Sequence, residues 1–349
     1  MPSIARLTTP RFLTAIAGAL ILCAALVGQA RADAVVSNAV EAHILPGFEA
    51  LESATAALAE TCGAACAPED PAVREAYHAA FDAWMGVSHL RFGPVEDAQR
   101  GFALAFWPDA RGATPKALKR FLRAGDEALL APETYAKQSV AARGFFALER
   151  LLYDADLGGE PAYRDRLIAA VARDIATTAA AIAADWQGGY AETMTTAGAE
   201  GNTRYLDTQE ARRALFTALS TGLETTGDLR LGRPLGTFER PRPNRAEARR
   251  SERSQRHVIL SLEALRDLAA ILATDVPQDV SASVDGAFAR ALEQGRSLDD
   301  PAFAGVASPG SRIGVEALQV RVTDIRRAVA LELGAALGIA AGFNSLDGD

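Results

Sequence analysis

The sequence predicts an all-α protein, most simply two antiparallel helical bundles in tandem. Three observations predict it. Ala and Leu dominate the apolar content, the alternation of β-branched residues that marks strands is missing, and apolar residues recur at three- and four-residue steps between Pro- and Gly-marked breaks. Periodic segments of this kind bury their faces against one another, which makes bundles the simplest architecture.

Residues 1–32 read as a secretory signal: Arg6 and Arg11 precede any acid, Phe12 to Val27 is nearly all apolar, and Ala30-Arg31-Ala32 is a small-x-small cleavage signal. Cys23 would suit a lipoprotein anchor only with a small residue before it, and Leu22 stands there, so an exported, periplasmic chain of 349 − 32 = 317 residues is expected. Later apolar runs are interrupted by Arg, Asp or Glu before reaching the ~18 residues of a membrane span.

The elements follow in order. Val36, Val40, Ile44, Phe48, Leu51 and Leu58 share one face of a helix from Val35 to Glu60, and Pro46 predicts a kink near Ile44 or Leu45. Cys62 and Cys66 flank the next turn, and in an oxidising compartment they are expected to pair. Asp70-Pro71 opens a second helix carrying Tyr77, Phe81, Trp84 and Val87. Phe92 to Pro115 is broken by Gly93-Pro94, Gly101, Trp107-Pro108 and Gly112, and a loop of this length is either functional or packed with short helices. Thr114-Pro115 starts a helix through Arg123, Pro132 starts a long one ending near Tyr153, and Pro161 to Trp186 forms another. Gly188-Gly189 marks the expected boundary between a bundle of residues 33–189 and one of residues 190–349. Beyond it, Asp207 caps a helix to Leu229, Asn244 is expected to cap one to about Thr274, and Pro277–Leu298 and Ile313–Leu337 complete the chain.

Net charge is 36 − 44 = −8, which gives no reason to expect nucleic acid as a partner. One segment runs against it. From Arg230 to Arg256 nine Arg face Glu239, Glu247 and Glu252, so 9 − 3 = +6, which points to an anionic ligand or an acidic partner, or else to guanidiniums paired with acids of other helices. Only His43, His78, His89 and His257 are available as imidazole ligands. His78 and Asp82 share a helical face, whereas His78 and His89 lie roughly 16 Å apart at a rise of ~1.5 Å per residue and cannot hold one ion. No Gly-x-Ser-x-Gly elbow, His-Glu-x-x-His helix or Gly-rich phosphate loop occurs. Glu149 stands beside the apolar stripe of Phe145, Leu148 and Leu152, either paired with Arg150, Arg143 or a neighbouring helix, or kept as a donor.

The motifs His43-Ile44-Leu45-Pro46-Gly47-Phe48, Trp84 with Arg91-Phe92-Gly93-Pro94, Phe106-Trp107-Pro108-Asp109, Arg143-Gly144 through Glu149, and Ser251-Glu252-Arg253-Ser254 span nearly the whole chain. Together they resemble the imelysin-like family, in its exported subgroup. The resemblance implies two all-helical domains, a site in the cleft between them, and an association with bacterial iron acquisition in a family whose founding members were classed as metallopeptidases. Its signature, Gly-x-His-x-x-Glu, falls on Gly144, Phe146 and Glu149, so the histidine is replaced by phenylalanine, which cannot coordinate a metal. A metallopeptidase needs about three protein ligands and an open position; the expectation is therefore a non-enzymatic binding protein. Its ligand would be iron, another transition metal or a small anion, with Glu149 and His43 as metal donors, and it would serve a periplasmic or membrane-bound uptake component. Trp84, Arg91, Trp107, Asp109, Arg143, Arg253 and Ser254 are the expected ligand-binding residues. A hydrolase using His43 or His257 as a displaced ligand, and an Arg-driven docking protein, are the alternatives.

Overall fold

The computed structural model describes residues 33–339, so the predicted signal segment and Cys23 lie outside the described residues. Helices account for almost all regular structure, and among the described residues the extended pairing is a single bridge between Thr237 and Arg240. In chain order the helices are α1 (Ala34–Ala39), α2 (Leu45–Cys62), α3 (Pro71–Val87), α4 (Arg100–Leu104), α5 (Ala113–Ala124), α6 (Pro132–Tyr135), α7 (Gly144–Tyr153) and α8 (Pro161–Asp185). They continue as α9 (Ala191–Thr195), α10 (Thr208–Glu224), α11 (Gly232–Leu235), α12 (Ser254–Leu272), α13 (Gln278–Ser297), α14 (Pro309–Ala328) and α15 (Gly334–Ala336).

Helix starts follow the capping chemistry read from the sequence. Asp70 Oδ1 accepts from Ala72 N ahead of Pro71, and Asp207 Oδ1 accepts from Glu210 N, each satisfying a donor that the first turn leaves open. The kink expected at Pro46 is a π-helical turn, Val40–Ile44, between α1 and α2, and it carries His43. The disulfide joins Cys62 to Cys66.

Three boundaries differ from expectation. The long helix expected from Pro132 is α6, a 3-10 turn (Val140–Ala142) and α7, because Gly144 takes φ 73° and the chain turns before restarting. The helix expected from Asn244 begins only at Ser254; residues 246–253 form a turn with Ala248 and Glu252 at positive φ. The helical course also runs past Gly188-Gly189, through a π turn (Trp186–Tyr190) into α9. The continuous helical stretch Pro161–Thr195 is long and apolar enough to cross a membrane by length and composition, contrary to the expected interruption, but 67% of its most apolar window is buried against the protein.

α2 packs on α3 and α8, and α7 lies on α8; further along, α12 packs on α10 and α13, and α13 on α14. α3 and α1 both contact α12, so the two halves of the chain meet along α12. Buried apolar side chains from Val35 to Ile339 form one connected cluster, anchored by Phe48, Tyr77, Phe81, Trp84, Phe145, Trp186 and Phe288. Asp33, which caps α1, is held by Arg212 of α10 at 2.6 Å, tying the start of the described chain to its second half.

Candidate functional site

The turn 246–253 joins α7 and α3 to the second half of the chain. Glu149, on the buried face of α7 and 2% exposed, directs Oε1 into it and accepts from Arg250 N at 3.0 Å, Ser251 N at 3.1 Å and Ser251 Oγ at 3.0 Å. Positive φ at Ala248 and Glu252 folds the backbone so that adjacent N–H groups converge on one oxygen, an anion-holding arrangement filled here by the protein's own carboxylate. Arg253 and Arg256 reach Asp82 on α3, and Ser254 Oγ donates to Glu247 O. α7 begins where it does because Gly144 can adopt φ 73°, and a Cβ there would lie 2.2 Å from Leu104 O.

A cavity of about 920 Å³ opens beside this turn. The end of α3 and the residues after it (Trp84, Ser88, His89, Arg91, Phe92) form one wall; α10 supplies Thr217 and Thr221, and α12 supplies Ser261 and Leu265, opposite. Trp107 and Phe146 close one side. Arg91 is surrounded by protein yet open to the solvent inside the cavity. Its Nε donates to Ser88 O and its guanidinium lies 5.4 Å from the centroid of the Trp84 ring, but among the described residues no carboxylate pairs with it. Burial, then repulsion from Arg230, pulls its pKa down to about 10.

Behind that wall Arg230 donates to Glu247 Oε2 at 2.7 Å, both side chains 6% exposed. Burial opposes ionisation of Glu247, but Arg230 and then His257, whose Nδ1 lies 3.6 Å away, outweigh it and hold the carboxyl at about 2. Two polar atoms at the cavity wall, His89 Nδ1 and Ser261 Oγ, are buried without a hydrogen-bond partner.

A second cavity of about 210 Å³ lies across Phe146 and Trp107, which line both spaces and stack at 6.2 Å. Asp109, Glu149, Arg150, Arg233, Arg245 and Arg250 give it a charged lining. Asp109 is engaged at the start of α5, Oδ1 with Ala113 N and Oδ2 with Thr114 N, both at 2.8 Å. Burial works against its ionisation, and those two backbone donors reverse the balance and lower its pKa.

The structure therefore brings Trp84, Arg91 and Trp107 to the large cavity and Trp107, Asp109 and Glu149 to the small one. It takes others elsewhere. Arg143, expected at a ligand, makes a two-pronged pair with the buried Asp174, each contact 2.8 Å. Arg253 and Ser254 are spent on Asp82 and on Glu247 O. His43 lines neither of these two cavities: its Nε2 lies 3.0 Å from His89 Nε2, and burial holds His43 at about 4, so the pair is neutral. His257 packs edge-on against Phe81 with centroids 4.3 Å apart, beside Glu247. His78 bonds Tyr153 at 2.8 Å, while Asp82 serves Arg253, so that helical face is not a ligand pair either. Among the described residues no group of three or more His, Cys, Asp or Glu is arranged to hold a metal ion.

Arg230–Glu247, the inward His89, and the hydroxyl stripe of Thr217 and Thr221 on α10 with Thr225 just beyond it are absent from the sequence-based expectations. The four-residue spacing of those threonines was a usable signal. The ion pair had none, because its partners lie on either side of an irregular segment.

A family profile for Imelysin matches residues 44–329, which is most of the chain. The chain belongs to the imelysin family. Its fold is similar to that of an imelysin-like protein from Psychrobacter arcticum 273-4, with a TM-score of 0.72, 18% identity, and coverage of 88% of this chain and 96% of that one. It is also similar to a protein from Parabacteroides distasonis ATCC 8503 described as a "putative iron-regulated protein A precursor", with a TM-score of 0.69, 12% identity, and coverage of 87% and 94%. No curated protein matches the chain. Within the imelysin signature, Gly144 is needed for its backbone angle, Phe146 forms a cavity wall, and the glutamate holds a turn.

Proposed function

We propose that this imelysin-family chain is a non-enzymatic, exported binding protein that takes up a small organic anion, free or as a chelate of iron or another transition metal, in the large cavity. One observation carries the reading: Arg91, an arginine without a carboxylate partner, is fixed over Trp84 inside a cavity that also presents Ser261 Oγ and His89 Nδ1 unpaired. An unmatched buried polar atom costs about 1–3 kcal/mol, so two at one cavity mark a place where a ligand completes the hydrogen bonding. A guanidinium suits a carboxylate because its fork matches two oxygens, and Trp84, Phe92 and Phe146 give the rest of the ligand an apolar surface.

A bare ion fits this donor set poorly. Asp109 spends both oxygens on backbone N–H groups, Glu149 Oε1 takes three donors, and His43 is paired with His89. A metal would then enter as the chelate's passenger, and the link to iron rests on the name of the Parabacteroides relative. The same occupancy of ligands speaks against peptidase chemistry, which needs an activated water on an open metal. The signal-like residues 1–32 support export to the periplasm, where an uptake component would receive the ligand. Calorimetric titration with citrate, ferric citrate and the aqua ions Fe(III) and Zn(II) tests the reading. Binding of citrate or its ferric complex, weakened in Arg91→Gln, is expected; no binding of either tighter than millimolar, or casein hydrolysis abolished by a chelator, would overturn it.

A further inference from the structure

We infer that the smaller cavity is a separate oxyanion site, in which Arg233 and Arg245 hold a free phosphate-class ion or the terminal phosphate of a larger molecule. Four guanidiniums line this space, those of Arg150, Arg233, Arg245 and Arg250. Arg150 and Arg250 share Asp154, at 3.0 and 3.7 Å. Arg233 and Arg245 pair with no carboxylate among the described residues, although two acids line the same cavity. Those acids are committed: Asp109 to the start of α5 and Glu149 Oε1 to the turn at Arg250 and Ser251.

The geometry of Arg233 is that of a positioned ligand rather than a solvated surface charge. Its guanidinium lies 5.7 Å from the centroid of the Trp107 ring, and its Nε is buried with no hydrogen-bond partner. Burial, and after it the charge of Arg245, pushes its pKa down. An oxyanion placed there would relieve the repulsion and accept from the unpaired donor, and Asn244 adds an amide at the rim. At about 210 Å³ the space is large enough for a tetrahedral ion with accompanying waters. Trp107, stacked on Phe146, separates the two spaces, so this site is independent of the reading given to Arg91.

The test is thermal denaturation and calorimetry of the mature chain with inorganic phosphate, sulfate and a sugar phosphate, each against chloride at matched ionic strength. Phosphate or sulfate is expected to raise the Tm by about 2 °C or more at saturation. Arg245→Gln, at an exposed position outside the core, and Arg233→Gln are each expected to weaken binding by about tenfold, while Arg91→Gln leaves it unchanged. Tighter binding of the free ion identifies an inorganic ligand, and tighter binding of the sugar phosphate identifies a terminal group; either supports the site. No anion-specific rise over chloride overturns the inference, as does binding that both arginine variants retain. Binding lost in Arg91→Gln but kept in Arg245→Gln would put the ion in the large cavity and overturn it equally.

Discussion

Replacing Glu149 separates a structural carboxylate from a ligand. In Glu149→Ala the N–H groups of Arg250 and Ser251 and the Ser251 hydroxyl lose their common acceptor in a region where Glu149 is 2% exposed. Hydrogen bonds to a charged group contribute about 1.5–3 kcal/mol each, and an abandoned buried donor costs about 1–3 kcal/mol. Since Ser251 Oγ can fall back on Ala248 O, two donors are stranded, and the expected loss is about 3–5 kcal/mol. Glu149→Gln keeps an acceptor at the same place and should lose only about 1–2 kcal/mol. Urea denaturation of both variants, followed by limited proteolysis, reads the effect, and new cleavage in residues 246–253 of Glu149→Ala locates it. Stability of Glu149→Ala within about 0.5 kcal/mol of the parent, the range of an ordinary surface change, would refute the assignment.

Further perturbations address other parts of the arrangement. Gly144→Ala puts a methyl 2.2 Å from Leu104 O at φ 73°, so a loss above about 3 kcal/mol or failure to accumulate folded protein is expected; a variant as stable as the parent would disprove the close approach. Phe146→His restores the signature histidine but not its companions, so calorimetry with Zn(II) should find no new tight site; a gain of micromolar affinity would show that Glu149 remains a ligand. Acid stability should fall in two windows. His43, held at about 4 against an ordinary 6.5, binds its proton preferentially in the unfolded chain, so its contribution is complete above 6.5 and is lost on descent toward 4. Glu247, held at about 2 against 4.5, contributes fully above 4.5 and loses that contribution as the pH falls to about 2. Denaturation against pH should show the upper window shrink in His43→Gln, where His89 and His78 still contribute, and the lower shrink in Glu247→Gln, where Asp33 and Asp109 still contribute; unchanged profiles would contradict the assignments.

Much of the fold was legible because helix signals are local. Asp70-Pro71, Asp207, the apolar steps of α2 and α3, and the bounds Pro277–Leu298 expected for α13 placed their elements within a few residues. The failures have a common cause in tertiary contacts. A helix through Arg249–Arg253 satisfies local propensity, but Glu149, about a hundred residues earlier in the chain, rewards a turn there with a charged acceptor for two backbone N–H groups. The same contact altered the meaning of the site. Spacing could show Glu149 beside an apolar stripe, and the family signature made it a ligand candidate, yet neither could show that its Oε1 was already occupied. Arg91 was legible as a candidate, whereas its lack of a carboxylate partner, the fact that gives it meaning, exists only in three dimensions.

In the proposed function Arg91, rather than Glu149, is the residue that meets the ligand. Calorimetric titration of ferric citrate into the parent, Arg91→Gln and Glu149→Gln tests this directly. Loss of a charge-assisted pair costs about 1.5–3 kcal/mol, so Arg91→Gln should weaken binding by at least tenfold while Glu149→Gln, once shown to be folded, binds as the parent does. Unchanged affinity in Arg91→Gln together with lost affinity in folded Glu149→Gln would contradict it.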